Sequence, residues 1–180
     1  MRKLGFKRLL PIIGGLLGLA GLWLILTARQ PQTQELPFET ISQGIGFPTG
    51  RSYSGEDPNL LVITAPEAVD APGLEIQFTP ELAEQLRTLD YDRYFAILVL
   101  QGHKNIIGYQ VTIQQVIRQG NQINIQVEFV EPAPETLILP AFSSPYHLIA
   151  VSKTGTWGEQ FQFVLVNERQ SVAETTYLIP

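Results

Sequence analysis

Phe95-Ala96-Ile97-Leu98-Val99-Leu100 is an uncharged run of six apolar residues, and the rest of the chain is arranged around it. A strand with one wet face would alternate apolar and polar residues. This one does not, so it reads as a strand covered on both faces. Gln101 to Asn105 then forms a polar loop. Tyr109, Val111, Ile113 and Ile117 share one face of the next segment, with Gln115 the exception, while Gln110, Thr112 and Gln114 share the other. Beyond a Gly120-Asn121 turn, Ile123, Ile125, Val127 and Phe129 alternate with Asn124, Gln126 and Glu128. Period two on both arms of a Gly-Asn connection predicts a hairpin with one buried and one wet face.

Flanking segments extend the same pattern. Leu36 to Ile41 and Leu60 to Thr64 read as strands. Between them, Ser42 to Asn59 holds four glycines and two prolines and predicts a loop. Thr79-Pro80-Glu81 is a helix start: Thr79 caps, Pro80 fits the first helical position, and Glu81 suits the positive end. Leu82, Leu86 and Leu89 then fall on one face of a short helix. Asp90 and Asp92 are expected to cap the turn that follows rather than to do chemistry. Glu131 to Pro145 carries four prolines and predicts an extended crossing, with Leu137-Ile138-Leu139 tucked under the sheet. Tyr146 to Val151 is a strand, and Phe161, Phe163 and Leu165 alternate on a last one. The fold class predicted is mainly β (α+β): a single antiparallel sheet or sandwich-like domain over 36–170, with one short helix and a tail at 171–180.

A different solvent is implied upstream. Arg2, Lys3, Lys7 and Arg8 form a basic end at 1–8, and no residue from Leu9 to Ala28 is charged. At 1.5 Å per residue, 9–28 is about long enough to cross a ~30 Å hydrocarbon core as a transmembrane helix. Pro11 lies in its first turn and Trp23 near its far end. The basic end is expected in the cytoplasm, with 29–35 a linker and the domain on the extracytoplasmic side of a plasma or internal membrane. A cleaved signal peptide is the alternative, but Leu26 fits the small-x-small pattern before Ala28 poorly. Gly14 and Gly18 form a G-x-x-x-G face that would allow weak self-association in the bilayer.

Charge and composition exclude several partners. Past Leu9 there are 8 basic and 17 acidic residues, a formal charge of −9, which argues against nucleic acid or anionic lipid as the domain's partner. The chain has no cysteine, so disulfides and thiolate metal sites are excluded. His103 and His147 are the only histidines: one in a loop and expected to be solvated, one in a strand and expected to hydrogen-bond locally. No G-x-S-x-G elbow, Walker loop or dinucleotide fingerprint occurs, so the expectation is no enzyme, no cofactor and no metal.

The order Phe95 to Leu100, Gly102, Gly108-Tyr109, the hairpin, then Ser144-Pro145-Tyr146-His147-Leu148-Ile149 resembles the PrcB C-terminal family, named for a subunit of a bacterial surface protease complex. Looser similarity runs back through Asp90-Tyr91 and Ser54-Gly55. The family loop typically reads Pro-Thr-Gly-Gly-Tyr. Here it is Asn105-Ile106-Ile107-Gly108-Tyr109, which keeps the last two residues. The resemblance implies an accessory or binding role, with an unidentified envelope or membrane protein as partner. The binding residues expected are His103, Asn105, Ile106, Ile107, Gly108 and Tyr109, where Ile106 and Ile107 either form an exposed apolar tip or begin the strand and pack inward. The same loop is distantly similar to the first loop of chagasin-type cysteine-protease inhibitors, which makes inhibition the alternative role.

Overall fold

The computed structural model describes residues 33–46, 53–70, 73, 76–133 and 140–180. The basic end, the expected span at 9–28 with its Gly14–Gly18 face, residues 29–32 of the linker and Leu137 to Leu139 lie outside these residues. Among the described residues no helix is long and apolar enough to cross a membrane. In chain order they form β1 (Thr33–Glu35), β2 (Phe38–Gly44), β3 (Asn59–Ile63), a 3₁₀ turn (Pro66–Val69), α1 (Pro80–Arg87), β4 (Tyr94–Leu100), β5 (Lys104–Ile106), β6 (Gln110–Gln119), β7 (Gln122–Val130), β8 (Pro140–Ser143), β9 (Tyr146–Ser152), β10 (Glu159–Asn167) and β11 (Gln170–Ile179).

The apolar run lies in β4, and all six of its residues are buried. β4 pairs antiparallel with β3 on one side and β9 on the other, in a four-stranded sheet ordered β2-β9-β4-β3. One face carries Phe95, Ile97 and Val99 into a core shared with Val116, Ile123, Ile125, Phe161 and Phe163 of a second, five-stranded sheet. The other face carries Leu98 and Leu100 against Val69 of the 3₁₀ turn, Phe78 of the segment leading into α1, and Leu82 and Leu86 of α1. β4 is thus the middle of three layers, which is why it has no position for a polar side chain. Each such buried aliphatic or aromatic residue contributes about 1.5–3 kcal/mol from burial.

α1 starts as its sequence requires. Thr79 accepts a hydrogen bond at Oγ1 from the Leu82 N–H at 3.2 Å, and Pro80 opens the first turn. Asp90 accepts one from the Asp92 N–H at 3.2 Å, the turn-capping role expected of it.

The five-stranded sheet runs β1-β6-β7-β10-β11, and three features of it depart from the sequence reading. First, the two sheets face each other as in the sandwich-like alternative, but a separate β5-β8 ribbon is added and β7 pairs with β10 in parallel, not antiparallel. Second, the β6 register shifts between Ile113 and Gln115, leaving Gln114 unmatched opposite β7. This bulge turns Val116 into the core and leaves Ile117 half-buried, so Gln115 was the visible trace of a phase change. Third, the expected tail is β11, an edge strand paired with β10 along its length, with Ile179 buried. Part of the expected linker, Thr33 to Glu35, is likewise β1.

Glu168 and Arg169 join β10 to β11 at φ 47° and 72°. Tight hairpin turns of this hand normally use Asn-Gly. Holding two non-glycine residues there costs on the order of 1 kcal/mol each, offset by the ten-residue strand that the turn returns to the sheet.

Candidate functional site

Where β4 ends, the chain must leave a fully buried sheet. It does so through Gln101, Gly102 and His103. Gly102 has φ 92°, and a Cβ there would run into the backbone carbonyl of Glu56. The His103 N–H donates to Gly55 O at 2.7 Å. The close approach locks this exit onto the 53–58 segment and sets Glu56 and Asp57 beside His103.

β5 then pairs antiparallel with β8, Lys104 opposite Ser143 and Ile106 opposite Pro140. The buried Ser143 and Ser144 act as braces: Ser143 Oγ donates to Ile106 O at 2.9 Å and Ser144 Oγ to Tyr53 O at 2.9 Å. The Ser144 N–H donates to Ile45 O at 2.8 Å. On the far side of the loop, a Cβ on Gly108 would come within 2.9 Å of Pro132 Cβ, so Pro132 lies directly against it.

His103, Lys104, Asn105, Ile106 and Tyr109 line one groove of about 530 Å³ with Glu56 and Asp57. Ile107 and Gly108 are not among its lining residues. Ile106 and Ile107 are half-buried, so neither is the exposed tip that the sequence allows. The exposed apolar group is Phe142 of β8, at 78% exposure. Its ring lies 5.1 Å from the His103 ring, centroid to centroid, with 32° between planes. His103 is therefore half-covered by an aromatic neighbour rather than freely solvated. Lys104 Nζ sits 5.3 Å from the Tyr109 ring centroid, within cation–π range.

Residues 95–152 match the PrcB C-terminal family. The PrcB C-terminal match takes in β4 to β9, so the groove-lining loop and Phe142 both lie inside it, while Glu56 and Asp57 are supplied from outside. No curated protein and no solved structure matches the chain.

The second histidine, also inside the PrcB C-terminal match, serves the scaffold. β1 covers β6 only from Ile117 to Gln119, and the Leu36 N–H adds a bond to Val116 O at 2.8 Å. Further along that edge, side chains from the facing sheet complete the backbone. Gln43 Nε2 donates to Val111 O at 2.8 Å, and the Ile113 N–H donates to His147 Nδ1 at 2.8 Å. With Nδ1 accepting, the ring proton is on Nε2, which lies 2.9 Å from Thr40 Oγ1 and donates to it. His147 bridges two sheets, not neighbours in sequence.

Burial pushes the His147 pKa below its usual 6.5. The unfolded chain then takes up a proton at higher pH than the folded one. The neutral ring's contribution is complete above about pH 6.5 and is lost as pH falls through the lowered folded value. Urea midpoints for the wild type should drop between pH 7.5 and 5.5. His147→Leu should start lower by about 1–3 kcal/mol, because the Ile113 N–H loses its acceptor, and should show a shallower pH slope. Equal slopes would mean that the ring is solvated in the folded state.

Among the described residues no three His, Cys, Asp or Glu side chains gather as a metal site.

Proposed function

We propose that the domain is a noncatalytic protein-binding module, held by residues 9–28 on the outer face of a membrane, and an accessory subunit of an envelope or protease assembly. One observation carries the binding role: Phe142, a large ring left 78% exposed on a braced two-stranded ribbon, inside the segment that matches the PrcB C-terminal family. Exposed aromatics on rigid supports are favoured anchors for a partner, since little side-chain freedom is lost on binding. The inhibitor alternative draws less support, because Asn105 to Gly108 is pinned by β8 and Pro132 rather than standing out as a free loop.

A photo-crosslinker at Asn105 tests the surface. The anchored protein should yield one dominant crosslinked envelope or membrane protein, and Phe142→Asp should abolish it while leaving the unfolding midpoint in place. Identical crosslinks from the folded mutant would remove the ribbon from consideration. The orientation has its own check. Protease added outside cells with a permeable outer layer should digest the domain, and full protection until the inner membrane is opened would refute the topology.

A further inference from the structure

We infer that the groove beside the ribbon takes an extended peptide segment of the partner in which basic and large apolar side chains alternate. This rests on the binding role proposed above and adds the chemistry of what is bound. Three observations converge on it.

The first is backbone. Among the described residues β5 and β8 pair only with each other, so no described strand covers their outer edges. An extended segment can add to such an edge, and its side chains then point alternately to opposite sides.

The second is charge. Glu56 and Asp57 are exposed and line the groove, yet among the described residues both ion pairs involve Arg87, far along the chain. Among the described residues the cation lining the groove is Lys104, whose ammonium is drawn over Tyr109. Two carboxylates against one committed lysine leave the rim acidic, in a domain of charge −9 beyond Leu9. Basic side chains suit that rim, and an anionic lipid surface does not.

The third is the Phe142–His103 pair, two tilted rings 5.1 Å apart next to the acidic rim, whose exposed phenyl ring can receive a large apolar side chain.

Fluorescence anisotropy on the full chain in detergent micelles tests this, with two labelled peptides of roughly ten residues, one alternating lysine and valine and one alternating glutamate and valine. The lysine peptide should bind saturably and the glutamate peptide should not. Glu56→Gln with Asp57→Asn should weaken the lysine peptide by about five- to tenfold and flatten its salt dependence. Phe142→Ala should weaken it with the salt dependence kept. Glu159→Gln with Glu174→Gln removes the same charge away from the groove lining and should change nothing. Equal binding of both peptides, or equal loss from the two charge-matched double variants, would overturn the inference. If that happened while Phe142→Asp still abolished the crosslinked partner, the binding role would stand and only the peptide chemistry would fall.

Discussion

Gly102→Ala should destabilise the domain by about 2–6 kcal/mol, combining left-handed backbone strain of ~1–3 kcal/mol with a forced shift of close-packed backbone of similar size. The φ of 92° already disfavours any side chain, and the new methyl would overlap the Glu56 carbonyl, which has no rotamer through which to escape. Gly158→Ala is the matched control. It has φ 103° with nothing within 4 Å of a Cβ, so it carries the strain without the overlap. Urea midpoints of the two variants separate the contributions. Since Gly102 seats Glu56 and Asp57 beside His103, its replacement should also weaken the crosslink at Asn105. Equal midpoints for the two variants would show that the 53–58 segment yields freely.

The second large effect is in the sandwich. Ile125→Ala should cost about 2–5 kcal/mol, the range for truncating a buried aliphatic residue. The upper end is expected, because Ile125 is fully buried between Val116 of β6 and Leu165 of β10, both fully buried themselves. A hole flanked by two ladders cannot close by a side-chain shift alone. Phe129→Ala should cost less, since that ring is half-buried at the end of its strand. Gln126→Ala, on the outer face, should stay within about 0.5 kcal/mol. An unchanged midpoint for Ile125→Ala together with a lowered one for Gln126→Ala would invert the assignment of faces.

These predictions show which signals a single sequence carries. β4, α1 and the β6-β7 hairpin were legible because each is decided within about ten residues: an apolar run, a capped amphipathic turn, two alternating arms. The Gln114 bulge was legible only as an interruption, since one extra residue reverses the faces that follow it without changing composition. The β10-β11 hairpin was hidden because Glu168 and Arg169 occupy a turn that normally announces itself with glycine. Sheet membership was not legible at all, for pairing of β7 with β10 depends on where two distant strands meet.

The candidate site divides in the same way. Ile106 and Ile107 drew attention as apolar residues beside Gly108, yet their partial burial depends on β8, more than thirty residues later. Phe142 had a weak signal of its own, an aromatic between Ala141 and Ser143 in a proline-rich segment. Glu56 and Asp57 had none, being ordinary loop carboxylates until Gly102 brings their backbone against the exit from β4.

The parallel pairing of β7 with β10 also bears on how the sheet is expected to assemble. A parallel neighbour cannot be reached by a tight turn, so the chain must first travel through β8 and β9, and β9 belongs to the other sheet. The β6-β7 hairpin can form early, from local contacts. The β7 edge gains its β10 partner only across the long connection that holds β8 and β9, so late pairing of β10 is the expected order. Loop closure of that length precedes any reward from the pairing, so folding slower than that of a hairpin-only sheet of this size is expected, with the β7 edge open until β10 arrives.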